Sequence, residues 1–421
     1  MDDIAILAVI LASVSVVRVQ ISRLPITGPL LFVLIGMALS PDALDILDIG
    51  IEDEGILLTA ELTLGLLLFS DAARINASTL RKSLSLPTRL LAIGLPLSIG
   101  LGTVIAMVTL TDVNWAAAAL LGAVLAPTDA ALGQAVVSNE KVPVRVRQTL
   151  NVESGLNDGL VVPIVAVFGA LVTGDVLESR SSIVGEAVGE ILIGAAVGLA
   201  LGQLIGRVNP WVHKKKWTDL GGAQLVAFSV AVTAFTAATT FGGNGFIAAF
   251  VCGLTVRALI GEKTEDHVEL AENVGQIGAE VTFVVFGATM VVPALQGLSF
   301  EIVLFSLAIL TLGRILPVRL AMIGTELKPW TVLFIGWFGP RGLASLLFGL
   351  IILEKETETG DGLFTIIAVT IFFSVVLHGI TAAPLSNIYS KWFTRQGHPE
   401  MAEAGHMPES PIRWRLNKWH R

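Results

Sequence analysis

The amino-acid sequence predicts an all-α polytopic membrane protein, and two observations lead to this class. The chain has 421 residues, of which 53% are hydrophobic and only 15% are charged. Soluble domains carry about 25% charged residues. Mostly apolar runs of about 20 residues, the length that a helix needs to cross a bilayer, recur along the whole chain. We therefore expect a lipid bilayer around most of this protein.

The apolar runs predict about thirteen transmembrane helices. The second run is short, and only GGNG separates the eighth from the ninth. Residues 391–421 are polar and predict a short cytoplasmic tail. The start, MDDIAILAVI, lacks the basic region of a signal peptide, so the first run is expected to be a retained helix. The runs are 4–22, 27–40, 54–73, 88–110, 114–136, 150–173, 184–206, 221–241, 244–260, 273–294, 299–323, 329–353 and 362–390.

Charges in the connections predict the orientation of these helices. Most of the 27 Lys and Arg residues follow odd-numbered runs or lie in the tail. Connections after even-numbered runs are acidic, as in PDALDILDIGIEDE and EKETETGD. The positive-inside rule then puts the N-terminus outside and the C-terminus in the cytoplasm. We expect a multi-pass protein of the cell inner (plasma) membrane.

Two of the predicted helices are interrupted by a proline with a charged residue close by. Pro127 lies in the fifth run, two residues before Asp129. Pro340 lies in the GPRG segment of the twelfth run, directly before Arg341. Proline has no N–H and clashes with the preceding turn, so it interrupts a helix. Each of these runs is therefore expected to be a pair of half-helices.

The positions of the two interrupted helices predict an inverted repeat. They are seven runs apart and cross the bilayer in opposite directions, so runs 4–6 match runs 11–13. Inverted repeats whose broken helices cross near the midplane are typical of secondary transporters. Asp129, with the Thr128 hydroxyl, is expected to cap positive half-helix ends, and Arg341 to offset negative ends and freed carbonyls. The alternative is that both prolines merely kink ordinary helices.

The sixth run contains the polar segment ESGLND, residues 153–158. Helical spacing puts Glu153 and Asn157 on one face, and Ser154 and Asp158 on a second face about 100° away. Charged side chains inside a membrane are costly and usually functional. The segment is therefore the predicted functional centre.

The Asp158 carboxylate is the predicted ion ligand. Asn157 is expected to hydrogen-bond Asp129, which leaves Asp158 beside the Ser154 hydroxyl and the Thr128 carbonyl. These hard oxygens suit an alkali cation, and the sequence has no His or Cys cluster for a transition metal. Removal from water disfavours the charged carboxylate, so the same oxygen can hold a proton or a cation, but hardly both. Such competition is sufficient for exchange.

Buried ion pairs account for the other charged residues in the apolar runs. Glu153 is expected to pair with Arg341 and to hold the sixth and twelfth helices together. Glu280 of the tenth run is expected to pair with Arg314 of the eleventh. The lysines 214–216 predict a contact with anionic lipid and not a nucleic-acid site. No phosphate-binding glycine loop is present, so ATP is not an expected partner.

Three motifs in this frame resemble those of a known family. APTD in the fifth run, ESGLNDG in the sixth and GPRG in the twelfth are similar to those of NhaP-type sodium/proton antiporters of the cation/proton antiporter superfamily. The resemblance covers essentially the whole membrane region. It implies a homodimer that exchanges Na⁺, with Li⁺ or K⁺ as alternatives, for protons by alternating access and without a cofactor.

The resemblance also implies a division of labour within residues 1–390. Core helices at about 88–173 and 299–390 would move against dimerisation helices at about 1–86 and 184–294. The Asn-Asp pair of the sixth helix is usually taken as a sign of electroneutral exchange, with one cation per proton. The implied roles are ion binding by Asp158, Ser154 and the Thr128 backbone, stabilisation of the crossing by Asp129 and Asn157, and an ion pair of Glu153 with Arg341.

One departure from the family pattern concerns the third run. Relatives often have an acidic residue directly after the LF of this helix, where it helps to ligate the ion. Here the run reads LLLFSDAARI, so Ser70 holds that place and Asp71 follows it. The sequence leaves open whether Asp71 contacts the ion or lies at the cytoplasmic end of the helix.

Three other functions fit parts of the same pattern. The first is a K⁺-selective antiporter of the same fold. The second is a cation channel, although channels usually show a symmetric ring of charges or a carbonyl filter. The third is an intramembrane enzyme with Asp129 and Asp158 as an aspartyl dyad. Arg341 and the repeat favour transport over catalysis, so we do not expect an enzyme.

Overall fold

The computed structural model describes residues 3–17, 20, 26–47, 54–74, 85–129, 132–173, 180–261, 264–353 and 358–396. Within these ranges the regular structure is helical and no strand occurs. The predicted tail beyond residue 396 and the connections 48–53 and 75–84 lie outside the described residues. In chain order the helices are α1 (Asp3–Val16), α2 (Gly28–Leu39), α3 (Glu54–Arg74), α4 (Leu86–Thr109), α5 (Trp115–Val124), α6 (Gln134–Val137), α7 (Val144–Thr173), α8 (Arg180–Lys214), α9 (Leu220–Thr240), α10 (Gly245–Ile260), α11 (Thr264–His267), α12 (Glu269–Gln296), α13 (Phe300–Ala321), α14 (Pro329–Trp337), α15 (Leu343–Leu353) and α16 (Glu358–Gln396).

Eight helices of the described residues are long and apolar enough to cross a membrane, namely α3, α4, α7, α8, α9, α12, α13 and α16. Helices α1, α2, α5 and α10 are apolar but shorter. The all-α polytopic class is therefore confirmed, and each apolar run of the sequence contains a described helix. The number thirteen stays a prediction, because several runs correspond to helices that are too short to count as spans.

The chain forms two compact units. The first comprises Met1–Leu57, Ser85–Ser154 and Glu280–Arg421, and the second comprises Leu58–Leu84 and Gly155–Ala279. Three of the four boundaries fall within α3, α7 and α12, so these helices contribute to both units. The division into a moving core and a dimerisation domain is a statement about motion and stays a prediction.

Helices α8 and α10 pack closely within the second unit through a row of glycines. Gly194, Gly198, Gly202 and Gly206 lie about one turn apart along α8. A Cβ at any of the four would collide with α10 or its N-cap, as at Gly198 with the backbone of Ala248. Rows of small residues of this kind allow membrane helices to approach each other without a hydrophobic driving force.

The first unit contains both interrupted helices. Helix α5 ends at Val124, and an irregular backbone that includes Pro127 and Asp129 follows it. Helix α14 ends at Trp337, and α15 begins only at Leu343. Both predicted breaks are confirmed. In each case the chain near the proline leaves helical geometry instead of merely kinking, so backbone N–H and C=O groups are released and need other partners.

Candidate functional site

The two breaks contact each other through backbone and side-chain hydrogen bonds. The Asp129 N–H donates to the Pro340 carbonyl oxygen at 2.7 Å. In the opposite direction, Nη1 of Arg341 donates to the carbonyl oxygens of Ala126 and Pro127, the latter at 3.0 Å. The Arg341 side chain is fully buried. The predicted crossing and the predicted binding of freed carbonyls by Arg341 are both present.

The Asp129 carboxylate caps a half-helix that belongs to the other break. Its Oδ2 accepts from the N–H of Leu343, the first residue of α15, at 2.8 Å. Its Oδ1 accepts from the Leu132 N–H at 3.3 Å. A carboxylate at a helix N-terminus satisfies donors that have no partner within the helix and interacts favourably with the helix dipole. Asp129 therefore has the capping role that the sequence predicted.

The glycines of GPRG make room for two charged side chains. A Cβ at Gly339 would overlap the Arg314 guanidinium, and a Cβ at Gly342 would overlap the Asp129 carboxylate. Either position would need a shift of the buried charged group if it carried a side chain. The absence of a side chain at these two glycines thus leaves the space that the Arg314 guanidinium and the Asp129 carboxylate occupy.

The structure corrects the predicted partner of Glu153. Both carboxylate oxygens of Glu153 accept from Arg314, with Nη1–Oε1 at 2.5 Å and Nη2–Oε2 at 2.6 Å. The predicted pair of Glu153 with Arg341 is therefore wrong, because the Arg341 guanidinium is directed to the carbonyls of the other break. The geometry likewise favours Glu153 over Glu280 as the partner of Arg314, since both terminal nitrogens of Arg314 go to Glu153.

This fork-to-fork ion pair connects α7 with α13. Glu153 and Arg314 are both about 2% exposed, so the pair is shielded from water on both sides. Bidentate Arg–carboxylate pairs have a fixed geometry and are stronger than single hydrogen bonds. The pair thus fixes the position of the α7 turn that also carries Ser154.

Two hydroxyls face each other at the first break. Thr128 Oγ1 and Ser154 Oγ are 3.0 Å apart, and both side chains are buried. Asp158 follows Ser154 by one turn of the continuous helix α7, and its side chain is partly exposed. Hydroxyl, backbone carbonyl and carboxylate oxygens are the donor types that bind alkali and other hard cations.

A further buried carboxylate lies next to the part of α7 that belongs to the second unit. The Cγ of Asp71 lies 3.9 Å from the position that a Cβ would take at Gly155. Asp71 is 8% exposed, and Asn157 is 1% exposed. Asp71 is therefore packed against the helix that carries Asp158 and is not a surface residue, which answers one half of the question that the sequence left open.

Serines of apolar helices bind the breaks at points that the sequence analysis missed. Ser345 Oγ donates to the carbonyl oxygen of Val124, the last residue of α5, at 2.7 Å. Ser374 Oγ, on α16, accepts from the Arg341 N–H at 2.6 Å. The available signal was the presence of a hydroxyl in an otherwise apolar run. That signal is weak, because serine side chains in helices often bond their own backbone.

Comparisons with known proteins agree with this geometry. The sequence profile of the family described as "Sodium/hydrogen exchanger, transmembrane" matches residues 6–388. The chain belongs to the sodium/hydrogen exchanger family. This family is one of transporters rather than enzymes, and the chain is a multi-pass membrane protein, as predicted.

Curated relatives of this chain are distant in sequence. The chain is 24% identical over 381 residues to the K⁺/H⁺ antiporter NhaP of Alkalimonas amylolytica, which covers 90% of this chain and 65% of the relative. It is 27% identical over 302 residues to the probable Na⁺/H⁺ antiporter 2 of Methanocaldococcus jannaschii, which covers 65% of this chain and 70% of the relative. The chain thus spans about two thirds of the length of these relatives.

The fold of this exchanger family member is similar to solved structures. The sodium proton antiporter MjNhaP1 from Methanocaldococcus jannaschii, solved at pH 8, superposes with a TM-score of 0.70 and 24% sequence identity. The match covers 90% of this chain and 100% of that chain. This similarity confirms the predicted architecture of the membrane domain.

Proposed function

We propose that this chain exchanges an alkali cation for protons across a membrane by alternating access, and that cation and proton compete for Asp158. Ser154 and the Thr128 backbone carbonyl complete the oxygen ligands of the cation in this proposal. Asp129, Asn157 and Arg341 stabilise the crossing. The transported ions are substrates, and the mechanism needs neither ATP nor a cofactor.

One observation carries the proposal: the Thr128 and Ser154 hydroxyls are 3.0 Å apart at a helix break. Regular helices have no backbone carbonyl available for a ligand, whereas a break has several. Asp158 lies on the next turn of the same helix and is partly exposed, which suits a carboxylate that must reach both water and cation. A carboxylate in such a place can be neutralised by a proton or by a cation, which couples the two binding events.

The buried charged side chains at the crossing have partners within the protein and do not need the transported ion. Arg314 is paired with Glu153, Asp129 binds the α15 N-terminus, and Arg341 binds two carbonyl oxygens. These contacts assign Glu153 and Asp129 to the scaffold, and we propose Asp158 as the carboxylate of α7 whose charge changes during transport. Asp71, packed at Gly155, is proposed as an additional ligand or a second carboxylate of the ion pathway.

Na⁺ and K⁺ remain competing substrates in this proposal. The Asn157–Asp158 pair favours electroneutral exchange of one Na⁺ per proton by resemblance to the family. The relative from Alkalimonas amylolytica is named a K⁺/H⁺ antiporter, which favours K⁺ for this chain as well. The ligand types suit either ion, since selectivity among hard cations depends on cavity size and rigidity.

The cellular arrangement follows from the sequence. We place the protein in the inner (plasma) membrane, with the N-terminus outside and the C-terminus in the cytoplasm, because the positive charges are concentrated in the odd-numbered connections. A homodimer is proposed on the family resemblance alone.

Exchange in liposomes tests the proposal. Purified protein is reconstituted into vesicles with an acidic lumen, a fluorescent pH dye and a clamped membrane potential. Addition of NaCl, KCl or LiCl to the wild type should alkalinise the lumen, and the ranking of the salts gives the selectivity. The Asp158→Asn variant should give no response to any of them.

Asp219→Asn is the matched control for this substitution. Asp219 is an exposed N-cap of α9, and asparagine caps a helix as well as aspartate does, so exchange should be unchanged. A wild type that responds to no cation, or an Asp158→Asn variant that exchanges like the wild type, would contradict the proposed mechanism.

A further inference from the structure

The third helix of each repeat contacts its break through a serine. In the first repeat Ser154 of α7 contacts Thr128, the residue after Pro127. In the second repeat Ser374 of α16 contacts Arg341, the residue after Pro340. The residues one turn after these serines are Asp158 in α7 and His378 in α16. His378 therefore occupies the repeat position of the proposed ion-binding carboxylate.

His378 contacts the opposite end of the break that Ser374 contacts. Its Nε2 is 3.0 Å from the carbonyl oxygen of Trp337, the last residue of α14. Its Nδ1 is 3.4 Å from Ser374 Oγ and 2.9 Å from the Ser374 carbonyl oxygen. The side chain is 1% exposed, so water does not compete for these bonds.

A neutral imidazole with its hydrogen on Nε2 completes a relay of hydrogen bonds across the break. The Arg341 N–H donates to Ser374 Oγ, the Ser374 hydroxyl donates to Nδ1 of His378, and the Nε2–H of His378 donates to the Trp337 carbonyl. A neutral ring has one donor and one acceptor, which is what the relay uses. The other neutral tautomer would donate from Nδ1 to the Ser374 carbonyl oxygen at 2.9 Å and would leave the Trp337 carbonyl facing a lone pair, whereas the Nε2–H tautomer leaves the Ser374 carbonyl facing Nδ1. Only the Nε2–H tautomer bonds the backbone across the break, because the Ser374 carbonyl belongs to α16 itself.

Trp337 is held by the same helix through its side chain. Its indole Nε1–H donates to Thr381 Oγ1 at 3.1 Å, and its ring lies 5.3 Å from the His378 ring between centroids. Ser374, His378 and Thr381 lie on consecutive turns of α16. This helix thus fixes both the end of α14 and the backbone of Arg341.

We propose that His378 is a positioning residue for transport, which closes the second break and thereby sets the geometry of the cation ligands at the first. The connection runs through Arg341. Its backbone is held by Ser374, and its guanidinium binds the carbonyls of Ala126 and Pro127, which directly precede Thr128. This inference rests on the proposed cation/proton exchange, but the hydrogen-bond relay itself can be tested without transport.

The relay predicts a split between two substitutions of His378. His378→Gln retains an N–H that can donate to the Trp337 carbonyl, whereas His378→Leu fills the space without a donor. For the Leu variant we expect an apparent KM for the transported cation about tenfold higher, the change expected from one buried hydrogen bond, with a smaller effect on the maximal rate. The Gln variant should restore most of the affinity.

Exchange is measured in the same liposomes and is divided by the amount of folded protein. His267→Gln is the matched control, because it replaces another buried histidine, which contacts Asn209 in the second unit. The control should keep the KM of the wild type. A Leu variant with the wild-type KM would show that His378 only fills space and would overturn the proposal. A Gln variant whose KM is as high as that of the Leu variant would also overturn it.

Nitrogen-15 NMR of histidine-labelled protein tests the relay independently of exchange, with His378→Gln used to assign the signal. We expect the neutral Nε2–H tautomer at neutral pH. A Nδ1–H tautomer would overturn the relay even if exchange is normal. Absence of exchange in the wild type, with the expected tautomer present, would refute the proposed function and leave the relay standing.

Discussion

The two helix breaks are closed by different chemistry. At the first break, Thr128 and Ser154 present two facing hydroxyls, and Asp129 reaches across to the N-terminus of α15. At the second break, Ser374 and His378 form hydrogen bonds to the backbone at its two ends, and the Arg341 guanidinium reaches across to the Pro127 carbonyl of the first break. One repeat therefore places its polar groups where a small cation can be bound, and the other repeat uses the equivalent positions to hold the crossing together.

The comparison teaches that the pseudo-symmetry of the chain concerns backbone geometry and not charge. Both repeats have a proline at the break and a serine on the third helix. The charged residues at the two breaks, Asp129 and Arg341, have opposite signs. Opposite signs are expected at two breaks that contact each other, because two neighbouring buried charges of the same sign would repel strongly. Substitutions that remove or displace a buried charge should therefore act mainly on stability, and substitutions of the facing hydroxyls mainly on transport.

The largest effect on stability is expected from Glu153→Gln. The variant leaves Arg314 buried without a charged partner, which should lower the free energy of unfolding by about 3–5 kcal/mol. Glu265→Gln is the matched control, because Glu265 is 32% exposed and Arg257 keeps a bond to the Gly261 carbonyl oxygen at 3.0 Å, so the loss of its charge should cost less than that of Glu153. Chemical unfolding in detergent measures both. Equal losses in the two variants would contradict the structural role of the Glu153–Arg314 pair.

A smaller loss is expected from Gly342→Ala. The added Cβ would overlap the Asp129 carboxylate and move it away from the α15 N-terminus, at a cost of about 1–3 kcal/mol. Gly100→Ala in α4 has no atom within 4 Å of the added Cβ and should be neutral or slightly stabilising. Chemical unfolding in detergent measures the stability of both variants. Equal stability of the two variants would show that the Asp129 carboxylate does not need the space that Gly342 leaves free.

Asp129→Asn should have a moderate effect. The amide keeps an oxygen that accepts from the Leu343 N–H but removes the charge that interacts with the dipole of α15, so we expect a loss of about 0.5–1 kcal/mol. The same substitution at the exposed N-cap Asp219 should be close to neutral. Thermal unfolding of both variants at low and high salt provides the measurement. If Asp129→Asn unfolds at the same temperature as the wild type, the Asp129 charge does not stabilise the α15 N-terminus.

The smallest effect on stability is expected from Thr128→Val. The variant removes one hydroxyl of the Thr128–Ser154 contact and should cost less than about 1 kcal/mol. Transport should change more than stability, with a higher apparent KM for the cation, because the hydroxyl lies at the proposed ligand cluster. Thr128→Ser, which retains the hydroxyl, should exchange like the wild type. A Thr128→Val variant with an unchanged KM would show that the Thr128 hydroxyl does not position the Ser154 hydroxyl for the cation.

Much of the fold could be predicted from the sequence because the bilayer imposes simple rules. Apolar length and proline position gave the helices and both breaks, since a broken helix leaves a recognisable mark in the pattern. The capping role of Asp129 followed from the sign of a helix dipole. These features depend on residues that are close in the chain or related by the repeat.

The partner of Glu153 could not be predicted in the same way. Arg314 and Arg341 were both available, and the choice depends on where α13 lies relative to α7 and on the space above Gly339. The relay through Ser374 and His378 was missed for a similar reason, because an isolated histidine in an apolar helix carries no information about which backbone carbonyl it faces. Side-chain pairing between distant helices requires the three-dimensional arrangement.

Proton release on cation binding distinguishes competition of cation and proton at Asp158 from independent binding of the two ions. Na⁺ or K⁺ is added to purified protein in weakly buffered detergent solution at a fixed starting pH, and an indicator dye reports the protons set free. The account predicts the release of about one proton per bound cation from the wild type and none from Asp158→Asn. Cation binding without proton release, or equal release from the variant, would contradict it.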